Sequence, residues 1–173
     1  MQTADFSNIS MNGRMAYLIL CIEKYLITKY PMKDWNNLSR LMWNVTSDYW
    51  DEWDFKYIEV IPEYLFAFES FEDSDFECIS KEEYSYFSEL LKDLPEEVNQ
   101  LLLAPHNLQE VYCYSTIPGT GDEATQIILN VCAILQKNNI ELPNISSVSF
   151  SSFSEKNGWG EHFDGTKLSL ILK

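Results

Sequence analysis

Apolar residues recur at helical spacing along most of the chain. From Met11 to Tyr30, Met11, Met15, Leu18, Ile19, Ile22, Tyr25 and Leu26 fall three or four positions apart. That is the stripe of an amphipathic helix, and Pro31 stops it. The stretch from Trp35 to about Trp53 repeats the pattern through Leu38, Leu41, Met42, Val45 and Tyr49. A third series, Ile58, Ile61, Leu65 and Phe68, spans Pro62, which either breaks a helix or occupies the first turn of a new one.

Later boundaries are marked more sharply. Ser80 precedes Glu83 at capping-box spacing, and Tyr84, Phe87, Leu91 and Leu94 line the helix that follows. Pro95 with Glu96 and Glu97 opens another, carrying Val98, Leu101 and Leu102. Pro105 interrupts it, and Leu108, Val111 and Tyr112 resume the pattern. After the turn-rich Pro118-Gly119-Thr120-Gly121, Asp122 and Glu123 begin a helix bearing Ile127, Ile128, Val131, Ile134 and Leu135. Lys137 and Asn138-Asn139 close it.

The last thirty residues change period. Val148 and Phe150 alternate with Ser147, Ser149 and Ser151, and Leu168, Leu170 and Leu172 alternate again, with Gly158, Gly160 and Gly165 between. This reads as a small hairpin or two short strands. The predicted fold is mainly α, a single domain over residues 1–173: a bundle of about five to seven helices with a small β appendage in 146–173. No internal repeat is visible.

Composition adds one strong feature. Twelve Lys and Arg face 27 Asp and Glu, a net charge of −15. Nucleic-acid and anionic-membrane binding draw on cations set against phosphates, so this balance argues against both. It favours a basic protein partner, although acidity alone also serves solubility. Between residues 48 and 83 thirteen carboxylates meet only Lys56 and Lys81, which accounts for eleven of the fifteen net negative charges. Ten aromatic residues share that stretch, Trp50, Phe55 and Tyr64 among them.

Extending the second helix to residue 53 sets Trp43 and Trp50 one above the other, off the main stripe, with Asp54 on the same flank. Two readings follow. Rings among carboxylates form a surface that grips Arg and Lys, or the helix is sandwiched between neighbours and both flanks are core. The first gives the candidate partner-binding residues Trp43, Trp50, Asp51, Asp54, Glu72, Asp73 and Asp75.

Other chemistry is weak. Cys21, Cys78, Cys113 and Cys132 are widely spaced without a CxxC, and only His106 and His162 could join them. No zinc site or other metal site is expected, and the thiols read as reduced and buried. Asp73-x-Asp75-x-Glu77 lacks the glycine and terminal Glu of a calcium loop. Gly119-x-Gly121 is too short to cradle phosphate, and Asp122 and Glu123 already hold the helix end behind it. Acid pairs such as Asp51-Glu52 and Glu82-Glu83 are surface groups. Glu161-His162-Phe163-Asp164 lies in a glycine-rich turn that needs no chemistry to explain it. No catalytic residue and no cofactor is predicted.

No apolar run reaches the roughly 18 residues of a membrane span, and the start of the chain has no basic leader, so a cytoplasmic location is expected. Asn-x-Ser/Thr triplets at Asn8, Asn37, Asn44 and Asn144 carry no glycosylation meaning there.

Three patches resemble one group of bacterial immunity proteins from polymorphic toxin systems. They are Met11-Asn12-Gly13-Arg14-x-Ala16-Tyr17 leading to Cys21-Ile22-Glu23, the aromatic second helix with Trp35 and Trp43, and Trp159-Gly160-x-x-Phe163-Asp164-Gly165. The resemblance implies a mostly helical protein that blocks a cognate toxin stoichiometrically by covering it. Many such toxins are nucleases with basic clefts, which an acidic aromatic surface would fit. Two alternatives remain: another acidic inhibitor or secretion chaperone, and an enzyme with a site near His162.

Overall fold

The computed structural model describes residues 2–113 and 115–172. Among them are seven α-helices: α1 (Met11–Lys29), α2 (Asn36–Asn44), α3 (Trp50–Ile58), α4 (Pro62–Leu65), α5 (Lys81–Leu91), α6 (Glu96–Tyr112) and α7 (Asp122–Lys137). Short 3-10 turns at Ile145–Val148, Lys156–Gly158 and Gly165–Leu168 punctuate the C-terminal segment.

α1 is the axis. Residues 11–23 are all buried, so the helix is enclosed on every side rather than amphipathic. α6 and α7 pack on one flank, and α2 with the C-terminal turns covers another. Ser10 caps its start by accepting the Gly13 N–H at 3.1 Å. Two charged side chains lie wholly inside. Arg14 donates to the carbonyls of Ile9 (2.9 Å), Gly121 (2.8 Å) and Phe6 (2.8 Å) and to the Thr125 hydroxyl. Burial pulls its pKa down to about 10, which leaves it charged at neutral pH.

Nine residues along the same helix, the Glu23 carboxylate accepts from the hydroxyls of Ser39 and Ser169, from the Trp43 indole at 2.8 Å and from the Leu170 N–H at 2.6 Å. Neutral acceptors thus surround Arg14 and neutral donors surround Glu23, which is how such groups are kept away from water.

The expected second helix is two helices. Thr46 Oγ1 and Ser47 Oγ donate to the carbonyls of Trp43 and Asn44 at 2.8 and 3.1 Å, so side chains close the last turn of α2 and the chain bends before Trp50. Pro62 takes the first position of the one-turn α4. Pro105, by contrast, does not interrupt α6, which runs through it. The Tyr57 hydroxyl donates to the Leu102 carbonyl at 2.6 Å beside the gap that the missing proline N–H leaves. The Ser80–Glu83 capping box forms as the spacing predicts.

The C-terminal β element is absent among the described residues. The single antiparallel bridge joins Ile9 to Ser152. The N–H groups a strand would use are already engaged. Those of Ser147, Ser149 and Ser151 reach back three residues to Asn144, Ser146 and Val148. Those of Ile171 and Leu172 go to the Ser169 hydroxyl, and that of Leu170 goes to Glu23. The segment is a strap instead. It is stitched to the start of α1 through Ser10 N–H to Ser151 O (3.0 Å) and Asn12 N–H to Trp159 O (3.0 Å), and to the α2–α3 bend through Phe163 N–H to Thr46 O (2.9 Å).

Candidate protein-binding surface

The seven expected surface residues divide. Trp43 is 1 % exposed and donates to Glu23. Trp50 is also buried; its indole donates to Asn12 Oδ1 at 2.9 Å and meets Trp159 edge-on at 5.2 Å. Asp54 is buried against His106, whose Nδ1 lies 2.9 and 3.0 Å from its two oxygens. These three are interior groups, and the reading of both tryptophans as displayed anchors is overturned. The bend between α2 and α3 removes the common flank on which it rested. Asp51 is half-buried on the first turn of α3, while Glu72, Asp73 and Asp75 are exposed on the segment between α4 and α5.

That segment is built rather than loose. Both oxygens of Glu59, just past α3, accept the N–H groups of Glu77 (2.8 Å), Cys78 (3.0 Å) and Ile79 (2.9 Å). Phe68, Phe71, Phe76 and Tyr84 pack ring against ring at centroid separations of 5.5 to 6.4 Å. Lys56 is ion-paired to Glu83 at 2.6 Å and Lys81 to Glu72, so both cations of the acidic stretch are already engaged. Ser70 Oγ donates to Asp73 at 2.7 Å.

Between this segment and α3 runs an open groove of about 600 Å³, with Phe55, Ile58, Tyr64, Phe68 and Phe76 on its walls and Glu59, Asp75 and Glu77 among its polar lining. Phe55 (63 % exposed), Phe66 (45 %) and Tyr64 (38 %) display their rings to solvent on this side, as Tyr49 does at the start of the acidic stretch. The two tryptophans chosen from the sequence are buried, whereas Phe55, next to Asp54 and about 100° further round α3, is exposed.

No family model, curated protein or solved structure matches the chain. The surface therefore rests on its own chemistry.

The patches that carry the resemblance to immunity proteins meet inside the fold. Asn12 joins Trp50 to the Gly160 carbonyl (3.2 Å), and Glu23 joins Trp43 to the strap. A Cβ on Gly165 would lie 2.4 Å from the Trp43 ring, so only glycine fits there. Asn12, Glu23, Trp43 and Gly165 are thus buried contacts between elements, while Asp164 of the last patch is exposed.

A second, half-open cleft of about 440 Å³ lies between Tyr49, Trp50, Trp159 and His162. The exposed His162 ring meets Tyr49 edge-on at 5.9 Å, and Lys156 pairs with Glu161 at 3.5 Å across its rim. The cysteines form no disulfide: Cys21 and Cys132 are buried, Cys113 is half-buried and Cys78 is exposed, against the expectation that all are inside. No helix is long and apolar enough to cross a membrane among the described residues.

Proposed function

We propose that the chain is a stoichiometric binding protein for a basic polypeptide, and that the polypeptide is a toxin domain, nuclease-like in its basic cleft, which it neutralises in the cytoplasm. One observation carries the reading. Phe55, Tyr64 and Phe66 are displayed within a stretch of thirteen carboxylates whose only two lysines are both ion-paired. Exposed rings among acids give a partner's Arg and Lys both a face to stack on and a charge to pair with. The resemblance to immunity proteins supplies the class of partner. The working surface is Phe55, Tyr64 and Phe66 with Asp51, Glu72, Asp73 and Asp75; Trp43, Trp50 and Asp54 act from within.

The test is calorimetric titration of basic toxin domains from the source organism against the wild-type chain, F55A/Y64A and D73N/D75N. The ring variant is expected to lose at least about tenfold in affinity. The charge variant should flatten the salt dependence of association. Affinity and salt slope unchanged in both variants would remove this face from the interaction.

A further inference from the structure

α3 and α6 pack against each other, and the contact brings together three side chains with metal-binding donors. His106 and Glu110 are four residues apart on α6, which stacks them on one face of the helix. Asp54 reaches them from α3. Its carboxylate is buried, with both oxygens turned to His106 Nδ1 at 2.9 and 3.0 Å. One donor atom from each of Asp54, His106 and Glu110 lies within 4.8 Å of the others. Donors bound at about 2.0–2.2 Å to one ion stand roughly 3–4 Å apart, so small side-chain rotations close the site.

The surroundings suit an ion. Tyr64 covers His106 edge-on with ring centroids 6.4 Å apart, and Asp51, Asp54 and Glu110 make the local field negative as far as Cys113 at the end of α6. Two carboxylates and an imidazole select a divalent transition metal of intermediate hardness and disfavour Cu(I).

We propose that Asp54, His106 and Glu110 form a binding site for a divalent transition-metal ion, zinc by its donor set, that clasps α3 to α6. Three protein donors leave at least one coordination position for water or for a donor from outside the chain. The site does not depend on the reading of the acidic groove. For Nδ1 to bind the ion, the proton it shares with Asp54 must leave. Zinc uptake therefore weakens as pH falls, because a protonated imidazole has no free lone pair to offer. The groups that face His106 in this balance are Asp54 on α3, Tyr64 on α4 and Glu110 on α6, with Asp51 and Cys113 beyond them.

Zinc chloride titrated calorimetrically into the full chain at pH 7.5 tests this. C78S serves as background, because Cys78 is exposed and could bind zinc adventitiously. One ion per chain is expected, with Kd below about 10 μM and a raised melting temperature. E110Q should weaken binding at least about tenfold and H106A should abolish it. Glu110 is exposed, so E110Q carries the test even if H106A fails to fold. Saturable binding with unchanged affinity in E110Q, or no saturable binding in the C78S background, overturns the proposal.

Discussion

The indole N–H of Trp43 donates to Oε1 of Glu23 at 2.8 Å in the centre of the protein, tying α2 to α1 through a buried carboxylate. The same oxygen accepts from Ser39 and Ser169, and its partner oxygen takes the Leu170 N–H from the C-terminal strap.

Glu23→Leu leaves an indole and a backbone amide without an acceptor, and two hydroxyls with only each other at 3.3 Å. The expected loss of stability is about 3–5 kcal/mol, read from urea denaturation, because stranded buried donors cost more than the apolar replacement returns. Trp43→Phe removes one charge-assisted bond together with some packing and should cost about 2–4 kcal/mol. A loss below about 1 kcal/mol for Glu23→Leu would mean that the carboxylate does not organise this region.

His106 gives the fold a pH dependence with a definite sign. The hydrogen bond its ring donates to the Asp54 carboxylate holds its pKa above the ordinary value, against the opposing effect of burial. A raised folded-state pKa contributes stability that is complete below the unfolded value, near pH 6.5, and disappears as pH rises through the folded value. His106→Asn should therefore destabilise the protein more at pH 5.5 than at pH 8.5 in metal-free buffer. Equal losses at the two pH values would show that the pair contributes nothing through protonation.

Two glycines separate conformational strain from collision. Gly119 and Gly121 flank one turn, but Gly119 (φ 57°) faces open space, while the strap's Gly160 (φ 81°) would drive a Cβ to 2.2 Å from Ser10 Oγ. Gly119→Ala should cost about 1 kcal/mol, the penalty of a left-handed backbone alone. Gly160→Ala should cost more, about 2–4 kcal/mol, because it pushes the strap away from the cap of α1. Thermal melts that rank the two equally would contradict this.

Thiol accessibility checks the packing independently. Cys78 should react with a chromogenic disulfide reagent at once, while Cys21 and Cys132 should react only on unfolding. Burial also pushes the Cys21 thiol pKa up. Rapid labelling of three or more thiols in the native state would place α1 and α7 differently.

Much of the helical scaffold was legible in the sequence, because apolar spacing and caps are local. The Ser80–Glu83 box, Pro62 at a helix start and the Asp122 start of α7 are all determined within a few residues. What escaped was set by partners far away in the chain. Leu168, Leu170 and Leu172 alternate like a strand, but Glu23, nearly 150 residues earlier, takes the amide that a strand would offer. Trp43 and Trp50 looked like surface rings because their acceptors, Glu23 and Asn12, lie on α1. His106 and Glu110 had a visible helical spacing, yet nothing local pointed to Asp54 across 52 residues.

If the acidic groove binds a partner as proposed, the Glu59 carboxylate that fixes the amides of Glu77, Cys78 and Ile79 also bears on selectivity. A segment already ordered before encounter loses little freedom on binding, so complex formation should be quick and should show a small entropic cost. The same rigidity limits adaptation. On that reading a groove held in one shape would discriminate sharply between closely related partners, and sequence drift in one of them would have to be answered by substitutions in the chain itself.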